Sequence, residues 1–369
     1  MSGPQREMLE PIRKQPWDWK TKNEYEEVTV RQQPYLHGHY RHIFDERDYD
    51  IFDPRYTRLK SSDWEAFRDP KKYWYTTYTS DRKKMAEQVE NNFSQAEEFH
   101  VIEHLDPSWV EAARTIYTPL RHLEYGESVQ LQHVIRYALG TSIEQCSTFQ
   151  SFDKTGRAQW ITQWAMNMEA HHGDFLGFGK EIFMSQPAFQ ALRSYVEEVL
   201  VTDDWGEVLV ALNLTLDPLL GNLIYRDFNR LALKHGDTHL AGLNYAIIKQ
   251  MDWHADWAFA LFGLLAEERA TSRWDYLKSL GYEDWPGDYR WGMTLSDPRN
   301  TPEEPMHNRE IINEWVGKWY PKAYHAVSQL SSLFERHNLQ LNVQEALQAI
   351  QKERIEPKYK NAGIAFQGV

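Results

Sequence analysis

Apolar residues recur at intervals of three and four along most of this chain, and from Tyr73 the pattern holds for roughly two hundred residues, predicting long amphipathic helices. Asp81 to Glu103 reads as one helix. Pro107 opens a second, with Ile116, Leu120, Leu123, Leu131, Val134 and Ile135 on helical spacings, and Ser142 to about His172 makes a third. Pro187 to Leu200 follows. Asp203-Asp204 then starts a helix whose Leu209, Val210, Leu212, Leu214, Leu216, Leu219, Leu220 and Ile224 run almost all round, as in a helix buried on every side, and Pro218 inside it predicts a kink. Leu240 to Arg269 is similarly long, and Asn313 to His337 and Val343 to Arg354 close the chain. At least four helices of roughly 25 to 30 residues, well above the usual length, predict an all-α fold built as a long-helix bundle.

The pattern breaks in two places. Residues 1–60 carry Trp17, Trp19, Tyr25, Tyr35, Tyr40, Phe44, Tyr49, Phe52 and Tyr56 among prolines, histidines and charges with no sustained period, which predicts an extended arm lying across a surface, its own or a neighbour's. Ser62 or Asp63 can cap a short helix that Asp69-Pro70 stops. Residues 281–309 form an irregular excursion rich in proline and glycine, so the expected organisation is an arm (1–60), a helical core (61–280), the excursion (281–309) and C-terminal helices (310–369).

Composition narrows the function. The 369 residues are 41% hydrophobic, enough for a sizeable core, and the formal net charge of -13 with dispersed basic residues argues against nucleic acid as a partner. The start, MSGPQREMLEPIRK, lacks an apolar signal region, and the uncharged apolar run Trp257 to Ala266 is too short to span a bilayer, so a cytoplasmic protein without a membrane partner is expected. The single cysteine, Cys146, permits no intramolecular disulfide and no thiolate cluster and reads as a buried small hydrophobe. Aromatic residues make up 14% of the chain, which suits a packed core or a large obligate interface. Trp64, Phe67, Tyr73, Tyr75 and Tyr78, and Trp315 with Trp319, carry that ambiguity and read as core.

Metal chemistry is therefore left to carboxylates and imidazoles. Glu97-x-x-His100 and Glu169-x-x-His172 have the spacing that places a carboxylate and an imidazole on one helix face, as di-iron carboxylate bundles require in pairs. A third match, Glu304 to His307, contains Pro305, and about one match is expected by chance in a chain of this composition. An autonomous di-iron oxidase built on Glu97, His100, Glu169 and His172 would need further carboxylates, for which Glu124, Glu127 and Glu207 are available. Both motifs, however, lie at helix ends in polar surroundings, which points to a solvated surface.

Four segments occurring in order, "SSDWEAFRDPKKYWYTTYTSDR", "LDPSWVEAARTIYTPLRHLEYGESVQ", "VTDDWGEVLVALNLTLDPLLGNLIYRDF" and "NEWVGKWYPKAYHAV", resemble the β subunit of bacterial multicomponent di-iron monooxygenase hydroxylases, the phenol hydroxylase and toluene monooxygenase branches above all. The resemblance covers about residues 61–327. It implies a ferritin-like bundle and a structural, non-catalytic role. The partners it implies are an α subunit and a γ subunit in an (αβγ)₂ assembly, with an effector protein and an NADH-fed reductase. Oxygen activation and insertion of one oxygen atom into a hydrocarbon would belong to a di-iron centre in the α subunit, with no cofactor in this chain.

The α subunits carry Asp-Glu-x-Arg-His patterns on two helices. By spacing, the matching slots here are "DKTGR" (Asp153 to Arg157) and "DWHAD" (Asp252 to Asp256), which put Lys154, Arg157, Trp253 and Asp256 where iron needs carboxylate and imidazole. One helix upstream Glu124 is in register, and Leu219 or Leu220 lies at the matching depth on the central helix. His122, Glu127, His254 and Asp256 remain as ionisable groups near the same level. Buried charges must pair, so Glu124 is expected to meet Lys154 or Arg157.

Overall fold

The computed structural model describes Tyr25 and residues 56–61, 63–268, 307–366 and 368, and among them all regular structure is helical. Most of the predicted arm and excursion lie outside the described residues. Asp63 caps a short 3₁₀ turn, Trp64–Ala66, by accepting from the Glu65 amide. The helices then run α1 (Tyr75–Glu98), α2 (Pro107–Ile116), α3 (Leu120–Tyr137), α4 (Thr141–His172), α5 (Leu176–Ser185), α6 (Pro187–Leu200), α7 (Trp205–Lys234) and α8 (Thr238–Ala266). After the undescribed stretch come α9 (Asn308–Ser328), α10 (Ser331–Arg336), α11 (Val343–Ile350) and α12 (Glu356–Asn361), the last two joined by a π turn at Gln351–Ile355.

Four of these make the bundle. The side-chain pairs Ser128 with Ser151 and Glu124 with Arg157 set α3 antiparallel to α4. Gln150 with Trp257 and Arg157 with Gln250 set α4 antiparallel to α8, while Gln150 with Asn213 and Lys154 with Asp217 set α4 parallel to α7. Parallel neighbours need a long return, and α5 and α6 supply it. One long crossover in a four-helix bundle is the ferritin-like arrangement. α1 lies antiparallel along α8, where the Asn92 amide donates to the His239 carbonyl (2.8 Å), and α9 covers α6 and the start of α7.

α7 resolves the proline problem in an unforeseen way. No kink ends the helix; two π-helical stretches, Val210–Leu216 and Asn222–Phe228, flank the α-helical segment Asp217–Gly221 in which Pro218 sits. The wide turns accommodate a residue that donates no amide. Side chains bind the carbonyls exposed there: Ala211 accepts from the Tyr195 hydroxyl (2.8 Å) and Leu214 from the Tyr359 hydroxyl (2.7 Å). α7 is long and apolar enough to cross a membrane, but 94% of its apolar window is buried inside the fold.

Other boundaries differ from expectation. α1 ends at Glu98, because His100 turns the chain with φ of 54°, so Glu97 and His100 do not share a helix face. The predicted second helix breaks at Pro119 into α2 and α3, α5 was not anticipated, and α9 begins at Asn308, where the Asn308 side chain is buried and donates to the carbonyls of Lys60 and Leu265. One continuous hydrophobic core runs from Tyr56 to Ile364. Trp64, Phe67, Tyr73, Tyr78, Trp315, Trp319 and Cys146 belong to it, and Tyr75 is exposed. Tyr25 is buried against its own chain: its hydroxyl donates to Ser142 Oγ (3.2 Å) and accepts from the Asp69 amide (2.9 Å).

Candidate functional site

At mid-height in the bundle, where hydrocarbon would be the simplest filling, the four helices place ionisable groups. Glu124 and Glu127 come from α3, Asp153, Lys154 and Arg157 from α4, Asp217 from α7 and His254 from α8, all buried. Lys154 is the hub. Its ammonium donates to Asp217 Oδ1 at 2.7 Å and to Glu127 Oε2, and lies 3.4 Å from Glu124 Oε2. Arg157 Nη1 is 3.6 Å from the same Glu124 oxygen, and the Tyr225 hydroxyl donates to Glu124 Oε1.

Three carboxyl groups face two cations. That of Glu127 is pushed well above the usual range by burial and then by the Asp217 charge, further than Lys154 can pull it back, so it keeps its proton. Burial also raises Glu124, but Lys154 and Arg157 outweigh it and hold that carboxylate below its ordinary value. Lys154 is likewise opposed by burial, yet Asp217 and the two glutamates hold it above the ordinary lysine range. The result is a cluster with no net charge.

Beside it, α4 and α8 exchange reciprocal contacts. Arg157 Nε donates to Gln250 Oε1 (2.9 Å) and its Nη2 reaches His254 Nδ1 (3.2 Å), while His254 Nε2 reaches Asp153 Oδ2 (3.0 Å) and Gln250 Nε2 donates to Asp153 Oδ1 (3.3 Å). Burial and the Arg157 charge keep His254 well below its usual pKa, so the neutral ring donates from Nε2 and accepts at Nδ1. Asp153 also takes a two-point clamp from Arg82 (2.6 and 2.7 Å) and a hydrogen bond from Tyr78 (2.9 Å). Burial would raise this carboxyl; Arg82 and the His254 hydrogen bond overcome it and bring it down to about 2.

Of the slot residues read from the sequence, Glu124, Lys154 and Arg157 meet, and Glu124 pairs with both cations. Trp253 and Asp256 do not join them. Trp253 faces the other way, donating to Asp69 Oδ1 (2.9 Å), and Asp256 is exposed and paired with Lys358 (2.9 Å). The inward positions on α8 are Gln250 and His254, three and two residues before the assumed slot residues Trp253 and Asp256. On α7 the inward group is Asp217, not Leu219 or Leu220; the one charged residue between Val208 and Tyr225 was the available signal. His122 lies apart, half-buried against Phe183.

The Glu-x-x-His motifs sit at the bundle's end. Glu169 caps α5 by accepting from the Phe175 and Leu176 amides (2.9 and 3.0 Å), and the His172 ring bonds the Ile102 carbonyl (2.8 Å). Glu97 and His100 are exposed, with His171 at 3.6 Å from both Glu97 and Glu103.

A sequence profile of the methane/phenol/alkene hydroxylase family matches residues 46–269, more than half of the chain. The chain belongs to that family. Relatives in it include the oxygenase component DmpL of phenol 2-monooxygenase from Pseudomonas sp. (strain CF600), 25% identical over 85% of this chain and 83% of that one. The β subunit of the hydroxylase component of the toluene-4-monooxygenase system of Ectopseudomonas mendocina is 28% identical over 74% of this chain and 73% of that one. The crystal structure of phenol hydroxylase from Pseudomonas sp. OX1 shares the fold, with a TM-score of 0.75 at 22% identity, covering 95% of this chain and 93% of that one. The resemblance to β subunits of the phenol and toluene branches thus holds.

The donor set of this family member does not fit a di-iron centre. Lys154 and Arg157 are cations that offer a metal no lone pair, and they engage Glu124, Glu127 and Asp217, the carboxylates a metal would need. The cluster can bear load and fix helix register.

Proposed function

We propose that this chain is the non-catalytic structural subunit of a multicomponent hydroxylase, holding a larger catalytic subunit in its assembly. The observation that carries this is the charge-balanced Lys154 cluster, which fills the bundle's centre with mutual ion pairs. The expected companions are the α and γ subunits in an (αβγ)₂ complex, an effector protein and an NADH-dependent reductase. A di-iron centre in the α subunit would supply oxygen activation and insertion of one oxygen atom into a hydrocarbon. Family membership and the likeness to β subunits support the reading. The test is reconstitution. The purified chain is expected to hold little iron and hydroxylate nothing, and to restore full turnover when added to the α subunit; near-stoichiometric iron with an oxygen-dependent spectrum in the chain alone would overturn the proposal.

A further inference from the structure

α4 wears its charges on the inside. Asp153, Lys154 and Arg157 are buried, and from Thr148 to Asn167 every residue that reaches the surface is uncharged. Phe152, Gly156, Gln159, Gln163 and Met166 follow one another at spacings of four and three, the seam that packs one helix on another. Phe152 and Met166 are each 56% exposed. On the antiparallel α3, Tyr125, 60% exposed, and Gln132 extend the same uncharged character as far as the exposed Arg136, which bounds it.

Gly156 is the most telling position. A Cβ built on it would meet nothing within 4 Å, so no neighbour inside the chain requires glycine, although glycine weakens a helix interior relative to alanine. A glycine there leaves room for an outside backbone to approach closely, as it also does at the exposed Gly317 of α9. In a chain that is 26% charged, an uncharged face on two long helices is the composition of an interface core.

We propose that the outer face of the α3–α4 pair is the surface on which a pair of helices from the larger hydroxylase subunit docks, an inference that rests on the functional reading above. The seam spacing calls for a helical occupant, and the absence of charge calls for an uncharged one. A second copy is disfavoured, because two chains of net charge -13 repel. The uncharged stretch of α4, residues 148–167, extends ~30 Å beside α3 packed ~10 Å away, giving a face of several hundred Å², approaching the ~800 Å² per partner in a standard interface.

The test uses the full-length chain co-purified with the larger subunit. Gly156→Leu and Gln163→Glu are expected to weaken the complex at least tenfold in a dilution series, while leaving the chain's own circular dichroism and melting temperature unchanged or, for Gly156→Leu, raised. Lys84→Glu, on α1, serves as the control. As a second measurement, a cysteine placed by Gln159→Cys should react quickly with a thiol reagent in the free chain and slowly in the complex, against the background of the buried Cys146. Wild-type affinity in both variants, or equal labelling in both states, overturns this inference alone. Loss of a homodimer in place of a heterocomplex also overturns it, and failure of the wild-type chain to bind the larger subunit overturns the functional reading with it.

Discussion

Lys154 contacts three carboxyl groups at once, and its loss leaves the charged Glu124 and Asp217 buried with only Arg157 nearby. Removing one partner from a buried ion pair costs about 3–5 kcal/mol, so Lys154→Met should lower the unfolding free energy in urea by that amount. Lys154→Met combined with Asp217→Asn should recover part of the loss. A Lys154→Met variant within about 1 kcal/mol of wild type would show that the cluster is solvated or rearranges freely. The helix on which the α4 slot lay was legible in the sequence, since Asp153, Lys154 and Arg157 stand alone as charges between Thr148 and Asn167 and have to be paired if buried. The register on α8 was not. Counting from Asp252 put Trp253 and Asp256 inward, whereas the bundle turns Gln250 and His254 toward α4, a rotation that only the contact with Asp153 and Arg157 fixes.

For the elements, two glycines on neighbouring helices make opposite predictions. A Cβ at Gly242 on α8 would stand 2.3 Å from the Asn92 side chain on α1, and that side chain donates to the His239 carbonyl. Gly242→Ala must push Asn92 off its acceptor and should cost about 1–3 kcal/mol. Gly156→Ala meets nothing and should stabilise by about 0.5–1 kcal/mol. Thermal unfolding of both variants checks the pair; a stabilised Gly242→Ala would mean that α1 is free to move away from α8. Most long helices could be placed from periodicity alone, because each has an apolar stripe wide enough to be seen. α5 was missed because two glycines in "LGFGKEIFMS" obscure its pattern, and its N-terminus is secured from outside by Glu169. The π stretches of α7 were hidden for a related reason: Tyr195 and Tyr359, which bind the carbonyls there, come from helices distant in sequence.

For the whole molecule, the balance of buried carboxyls sets how stability varies with pH. Glu144 is pushed up to about 8 by burial and then by the nearby Glu65 charge. Between about pH 4.5 and 8 the unfolded chain has released this proton while the native chain keeps it, so the native state binds more protons and stability falls as pH rises. Glu144→Gln should therefore gain about 1–3 kcal/mol at pH 8 and nothing near pH 4, measured by urea unfolding at the two values. An equal effect at both would mean that Glu144 ionises normally in the folded chain.

The Lys154 cluster also bears on how such a bundle could change its occupation over time. Exchanging Lys154 for a glutamate would move the local charge by two units and leave four carboxyl groups around Arg157 alone. Exchanging Arg157 for histidine would take from Glu124 one of its two cations and leave the Gln250 acceptor without its donor. Each single step toward a metal-holding interior begins with an uncompensated buried charge, so the two kinds of interior are separated by a ridge that substitutions must cross together. A bundle that has taken up this electrostatic filling is committed to it.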